Sequence, residues 1–221
     1  FVDGVSGSEG PLRENLTEMI GKCTGQVAVA CFASNVARLQ TIFEAATANG
    51  RTVCFVGRSL WRINAAARET GYLTDLPQFL EASQAIDLAK DQVLYICTGS
   101  QGEPRAALTR IAAGDHRDVM LGDGDTVIFS SRIIPGNDRA IGRLQNRLAM
   151  RGVQVISEDD GSVHVSGHPA RDELIKMYQL IRPQVAIPVH GEPRHLLKHV
   201  ALARQCQVPE TILVQNGSIV R

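Results

Sequence analysis

The stretch QVAVACFASNVARLQTIFEAATANGRTVCFVGRS, from Gln26 to Ser59, decides the fold. It opens on an apolar run, Gln26 to Phe32, whose residues are apolar continuously rather than alternately, as a strand covered on both faces requires. From Asn35 to Ala48 apolar residues return at helical spacing, and Gly50 falls where a helix C-cap glycine stands. A second apolar run, Thr52 to Gly57, follows at once. Strand, helix and strand in this order predict a crossover between parallel strands.

The same alternation continues outward. Apolar runs recur at 93–99, 126–131, 153–157, 163–167, 184–189 and 211–215. Helical patterns fill 60–70, 104–113, 138–151, 170–181 and 193–205, with Gly71, Gly114 and Gly152 near the ends of the first three. The fold class that follows is α/β, with a doubly wound, mostly parallel sheet. Residues 73–92, with Pro77 and Phe79, are the least regular and read as a helical excursion. No internal repeat or low-complexity tract interrupts the pattern.

Composition narrows the function classes. The 221 residues are 44% hydrophobic, enough for one large core or two small ones, and carry zero formal net charge. No global basic field draws in nucleic acid, so such binding has to come from a local patch. The five cysteines are scattered, without a C-x-x-C, and three lie inside apolar runs, as reduced core thiols do. No stretch approaches the roughly 18 apolar residues of a membrane span. A cytoplasmic protein without a membrane partner is expected. The chain begins at Phe1 rather than Met, which suggests a piece of something longer.

Polar residues gather where strands end. Phe32 is followed by Ala33-Ser34-Asn35, Val56 by Gly57-Arg58-Ser59, Cys97 by Thr98-Gly99-Ser100-Gln101-Gly102-Glu103, and Phe129 by Ser130-Ser131-Arg132. Ligands of open parallel sheets bind outside the carboxyl ends of the strands. Small hydroxyl residues there expose backbone N–H groups to an anion, and Arg58, Arg105 and Arg132 add guanidinium contacts. Capping explains any one loop more simply; four together favour a phosphate-rich ligand. Neither G-x-G-x-x-G nor a P-loop is present.

Four of the six histidines fall between Val163 and His195. The two-residue strand period predicts His164, Ser166 and His168 on one side of a strand end, with Gly167 allowing a turn. Two imidazoles and a hydroxyl suit a phosphate clamp or an acid–base pair, although backbone-bonded strand-end histidines are as common. His190, between a strand-like run and Gly191-Glu192-Pro193, is positioned for a metal, but one histidine is not a metal site. His195 and His199 read as a solvated helix face.

Taken in order, these motifs resemble bacterial ribonuclease J, of the β-CASP branch of the metallo-β-lactamase superfamily. The matching segments are Ser8-Glu9, Phe32 to Asn35, Val56 to Ser59, Thr98 to Pro104, Phe129 to Asn137, His164 to His168 and Pro188 to Glu192. The resemblance implies a linker from the metallo-β-lactamase domain over 1–20, a β-CASP domain over 21–168 and a C-terminal segment of the metallo-β-lactamase domain over 169–221. It makes Glu9 the acid that orients a catalytic His168, and His190 a zinc ligand. It makes Ala33, Ser34, Asn35 and the segment His164, Val165, Ser166, Gly167 and His168 substrate-phosphate contacts, to which strand-end position adds Arg58 and Ser100.

The implied activity is that of a zinc-dependent 5′-to-3′ exoribonuclease and endoribonuclease in RNA processing and decay. Two Zn²⁺ ions are expected in the intact enzyme, with most ligands outside this chain, and a homodimer or tetramer. The RNA partner is expected to be 5′-monophosphorylated and single-stranded. The isolated chain is expected to be inactive, which leaves a non-catalytic RNA- or phosphate-binding module as one alternative. A β-CASP hydrolase for another phosphodiester is the other.

Overall fold

The computed structural model describes residues 2–221. They form two compact units, one of Gly7–Val165 and one of the residues up to Ser6 with Ser166–Arg221.

The larger unit begins with helix α1 (Glu9–Gly21) and continues through β1 (Val27–Ala30), α2 (Val36–Ala48), β2 (Thr52–Val56) and α3 (Arg58–Glu69). It ends with β3 (Leu80–Glu81), β4 (Val93–Cys97), α4 (Ala107–Ala113), β5 (Thr126–Phe129), α5 (Asp138–Ala149) and β6 (Gln154–Ile156). The six strands pair in the order β3-β2-β4-β1-β5-β6, and every pairing is parallel. The Gln26–Ser59 crossover therefore does not join neighbours, because β4 lies between β1 and β2.

Continuous apolarity of the strands reflects two separate cores. Val27, Val29, Phe55 and Ile96 pack with Leu12, Leu16, Leu39, Ile42 and Leu60 of α1, α2 and α3. Ala28, Ala30, Tyr95, Cys97 and Phe129 face the other way, onto Leu108, Ile111, Ile141 and Leu144 of α4 and α5. Phe55 stacks on Phe79 with centroids 3.9 Å apart and meets Trp61 edge-on at 5.3 Å. Deep burial pushes the thiol of Cys31 up to about 12 and that of Cys54 up to about 11, and all five cysteines are free.

Loop chemistry fixes the carboxyl edge of this sheet. Gly57 has φ +139°, and a Cβ there would stand 2.6 Å from Oγ1 of Thr98, so the ends of β2 and β4 approach backbone to side chain. Buried Gln101 uses its whole amide: Nε2 donates to Ser131 Oγ and Arg132 O, and Oε1 accepts from Ile134 N and Asn137 Nδ2. One side chain thus ties the Thr98–Pro104 loop to the Ser130–Asn137 loop.

Two local expectations change. Residues 163–167 form no strand; Val163 is anchored instead by Ser130 Oγ, which donates to its carbonyl at 2.7 Å. Residues 73–92 hold β3 and two short 3₁₀ turns rather than a helix, because Phe79 is drawn into the stack with Phe55.

The smaller unit contains α6 (Arg171–Ile181), β7 (Val185–Ala186), α7 (Pro193–Gln205) and β8 (Glu210–Thr211), with β7 and β8 paired in parallel. Pro193 opens α7, and Glu173 caps α6 by accepting from Ala170 N and Ser6 N. Its own core is small, centred on Tyr178, Ala186, Ala203 and Val208. Leu180, Ile181, Ile187, Val189 and Leu197 are left exposed. Among the described residues no helix is long and apolar enough to cross a membrane.

Candidate functional site

Arg38, in the first turn of α2, organises the candidate site. Its side chain is wholly buried, and each of its three nitrogens has a partner. Nε and Nη2 donate to the two carboxylate oxygens of Glu9 at 3.0 and 2.8 Å. Nη1 donates to Ser130 O and Ser130 Oγ and stands 3.4 Å from Nδ1 of His164. Thr41 adds a hydroxyl donor to Glu9 at 3.1 Å. A bidentate pair of this kind is among the stronger charge-assisted arrangements.

The charges set the protonation states. Burial pushes the Glu9 carboxyl up, but hydrogen bonds and charge from Arg38, with Thr41, outweigh it and hold the group below its ordinary range. His164 is half-buried; desolvation first and the Arg38 charge second lower its imidazole to about 4, against a smaller opposing pull from Glu9. The ring is therefore neutral near pH 7. Since Nδ1 faces a guanidinium donor, the ring proton resides on Nε2, which is left as a donor.

The β1–α2 loop lies beside this cluster, because Arg38 belongs to the helix that the loop starts. Asn35 is the N-cap, accepting from Arg38 N at 3.1 Å, and Ser34 is exposed. Glu9, His164 and the Ala33–Asn35 loop thus come together around one arginine. Val165 continues from His164 and packs against the core on the α1 and α2 side. Arg58 and Ser100 do not join the cluster. Arg58 lines a separate cleft at the end of β2, and Ser100 is buried in a small cavity with Ser131 and Glu158.

The remaining predicted residues belong to the smaller unit. Ser166 Oγ accepts from His168 N at 3.1 Å, and Gly167 has open space around it. His168 and His190 present their Nε2 atoms to each other at 3.4 Å, with rings nearly parallel at 20°. His190 adopts φ +64°, a backbone conformation uncommon outside glycine. Glu9 has both oxygens engaged inside its own unit, by Arg38 and Thr41. Two imidazoles are half of the tetrahedral set that zinc takes. Among the described residues no group of three or more His, Cys, Asp or Glu could hold a metal, so this chain alone does not complete a zinc site.

Two other histidines have local duties. His195 Nδ1 accepts from Glu192 N and closes the start of α7. Against the expectation of a solvated helix face, His199 is half-buried and hydrogen-bonded to the Tyr178 hydroxyl at 2.9 Å. Sequence reasoning missed Arg38, and it placed Ser130 and Gln101 in strand-end loops facing a ligand rather than in the internal hydrogen bonds they make. Arg38 carried a signal: it shares a helix face with Ile42 and Ala45, both fully buried, where a charge needs a partner.

Comparison with known proteins agrees with this architecture. Residues 24–148 match the family described as ribonuclease J, β-CASP domain, and residues 161–211 match the Zn-dependent metallo-hydrolase RNA specificity domain. A ribonuclease J of Sinorhizobium meliloti is 43% identical over 99% of this chain, and one of Mycolicibacterium smegmatis is 45% identical over 97%. A Thermus thermophilus ribonuclease J is 37% identical over 99%. The chain spans about 39% of the length of the first two relatives. On the match of its six-stranded parallel unit and of the segment that follows, the chain belongs to the ribonuclease J family, of which it carries the β-CASP domain and the RNA specificity domain.

Proposed function

We propose that this chain is the RNA-handling portion of a zinc-dependent ribonuclease. The observation that carries the reading is the 3.4 Å approach of the Arg38 guanidinium to Nδ1 of His164. A neutral ring whose Nδ1 faces Arg38 offers Nε2–H as a preset donor to a phosphate oxygen. The exposed Ser34 hydroxyl and the start of α2 add further donors and a favourable dipole. Arg38, held by Glu9, positions His164, and the role of Glu9 toward His168 is tested separately by Glu9→Gln in the longer protein.

His168 is the proposed proton carrier at the reacting phosphate, and His190 one ligand of a zinc centre completed by residues of a longer protein. Zinc there would activate water and stabilise charge on phosphorus. The exposed apolar side chains of α6 and of the β7 region support assignment of 169–221 to a larger metallo-β-lactamase domain, since a lone two-stranded sheet does not bury them. Cytoplasmic RNA processing and decay, by 5′-to-3′ exonucleolytic and endonucleolytic cuts, is the setting this reading implies, with 5′-monophosphorylated single strands as substrate.

A second reading, a binding module without chemistry, is favoured for the isolated chain by the lack of a three-ligand metal group among its described residues. Both are tested together. The chain should bind 5′-phosphorylated RNA in a salt-dependent way without cutting it. The longer protein should cut, and His168→Ala should abolish turnover while keeping RNA bound. Turnover within about tenfold of wild type would remove His168 from the mechanism. Matched DNA oligonucleotides, if cut as fast as RNA, would favour a different phosphodiester as substrate.

A further inference from the structure

The boundary between β2 and β4 is a place where crossovers diverge. α3, which follows β2, packs with α1 and α2; α4, which follows β4, packs on the opposite face with α5. Divergence between neighbouring parallel strands opens a crevice beyond their carboxyl ends. A cleft of about 480 Å³ lies there, lined by Arg58, Trp61, Glu81, Arg105, Arg110 and His116. It falls within the size of small-molecule sites. On the same edge, the Arg38–His164 cluster stands at β1 and β5, two strand spacings or about 10 Å further along.

The charge of the cleft is unbalanced. Arg58, Arg105 and Arg110 are exposed, and among the described residues none of them forms an ion pair. Two carboxylates line the cleft, Glu81 and Asp118, and Asp118 lies 3.7 Å from Arg117, outside it. His116 Nδ1 accepts from Asp118 N at 3.3 Å, which leaves the proton on Nε2 as a donor. Trp61 supplies a half-buried indole, held edge-on by Phe55, which is itself stacked on Phe79. Three guanidiniums without a carboxylate partner, of which Arg110 gives one N–H to the Asp115 carbonyl, a fixed aromatic ring and acceptors for hydroxyl or amino groups match the parts of a nucleotide.

We propose that this cleft is a second nucleotide-binding site, taking one nucleoside monophosphate unit with its phosphate on the arginines and its base against Trp61. The unit is either a free mononucleotide or one nucleotide of an RNA strand. The site is distinct from the His164 cluster and does not depend on cleavage.

Trp61 is the chain's single tryptophan, so its fluorescence reports this site. Uridine 5′-monophosphate should give a saturable quench, uridine none, and the affinity should fall about tenfold or more in Arg58→Gln/Arg105→Gln. His164→Ala should leave the titration unchanged, which separates this site from the proposed RNA clamp. A 5′-phosphorylated tetrauridylate binding about tenfold tighter than the monophosphate assigns the site to a strand; equal affinity assigns it to free nucleotide. Circular dichroism checks that the double variant is folded, as exposed arginines permit. The proposal is overturned if the monophosphate gives no saturable response, if inorganic phosphate binds as well, or if the folded double variant titrates like wild type.

Discussion

Nη1 of Arg38 stands 3.4 Å from Nδ1 of His164, while Nε and Nη2 of the same guanidinium hold both oxygens of Glu9. Acid and imidazole therefore share one buried cation and are coupled through it.

That coupling is measurable as stability. Removing either partner of a buried ion pair leaves an uncompensated charge, and Arg38→Met or Glu9→Gln should each cost about 3 kcal/mol. The double variant should cost less than the sum, with a coupling of about 2 kcal/mol in a urea-denaturation cycle. Additive losses would mean that the pair contributes nothing beyond its separate contacts.

The His164 imidazole gives a pH signature. Its folded value is about 4, against an ordinary 6.5, so between these limits the unfolded chain binds the proton and the folded chain does not. Stability therefore falls as pH drops from about 6.5 toward about 4. Glu9 acts lower: its contribution is present above its ordinary value of 4.5 and is lost as pH falls through its depressed folded value. Urea midpoints followed against pH should show the upper slope flattened in His164→Gln and the lower one retained. Identical slopes in the two proteins would contradict the assignment.

Gln101 is predicted to matter through what it leaves behind. Gln101→Leu keeps most of the volume but strands the Ile134 N–H and Arg132 carbonyl partners, at about 2–3 kcal/mol. Amide exchange should quicken in Ile133–Asn137 more than in the sheet. Unchanged protection there would show that the two loops hold without the staple.

At the end of β2, Gly57→Ala meets both φ +139° and the Thr98 hydroxyl, and should lower stability by about 2 kcal/mol or more. A thermal melt of Gly57→Ala beside Gly142→Ala, a mid-helix position with open space where alanine should raise stability slightly, separates strain from a generic effect of the added methyl.

The parallel sheet was legible because strands covered on both faces leave long apolar runs, and the helices because their spacing and terminal glycines agree. Strand order was not legible: nothing in Gln26–Ser59 says that β4 inserts between β1 and β2. HVSGH misled for a physical reason. Alternating Val and His satisfy a strand pattern, but Ser130 supplies Val163 with a side-chain partner, and no neighbouring strand is needed. The histidines stand out by residue type, while Arg38, the residue that faces one of them, has the sequence setting of any helical arginine. Long-range pairs such as Glu9–Arg38 leave only a faint trace in sequence, a charge on an apolar face.

The sheet narrows toward both rims. β3 contributes two residues and β6 three, against five in β2 and β4. An incoming strand from another molecule would find too few free N–H and C=O groups along either rim to register with. Growth of the sheet ends at its sixth strand, and a domain with an all-parallel, strongly apolar interior is shielded from edge-to-edge aggregation by the brevity of its outermost strands.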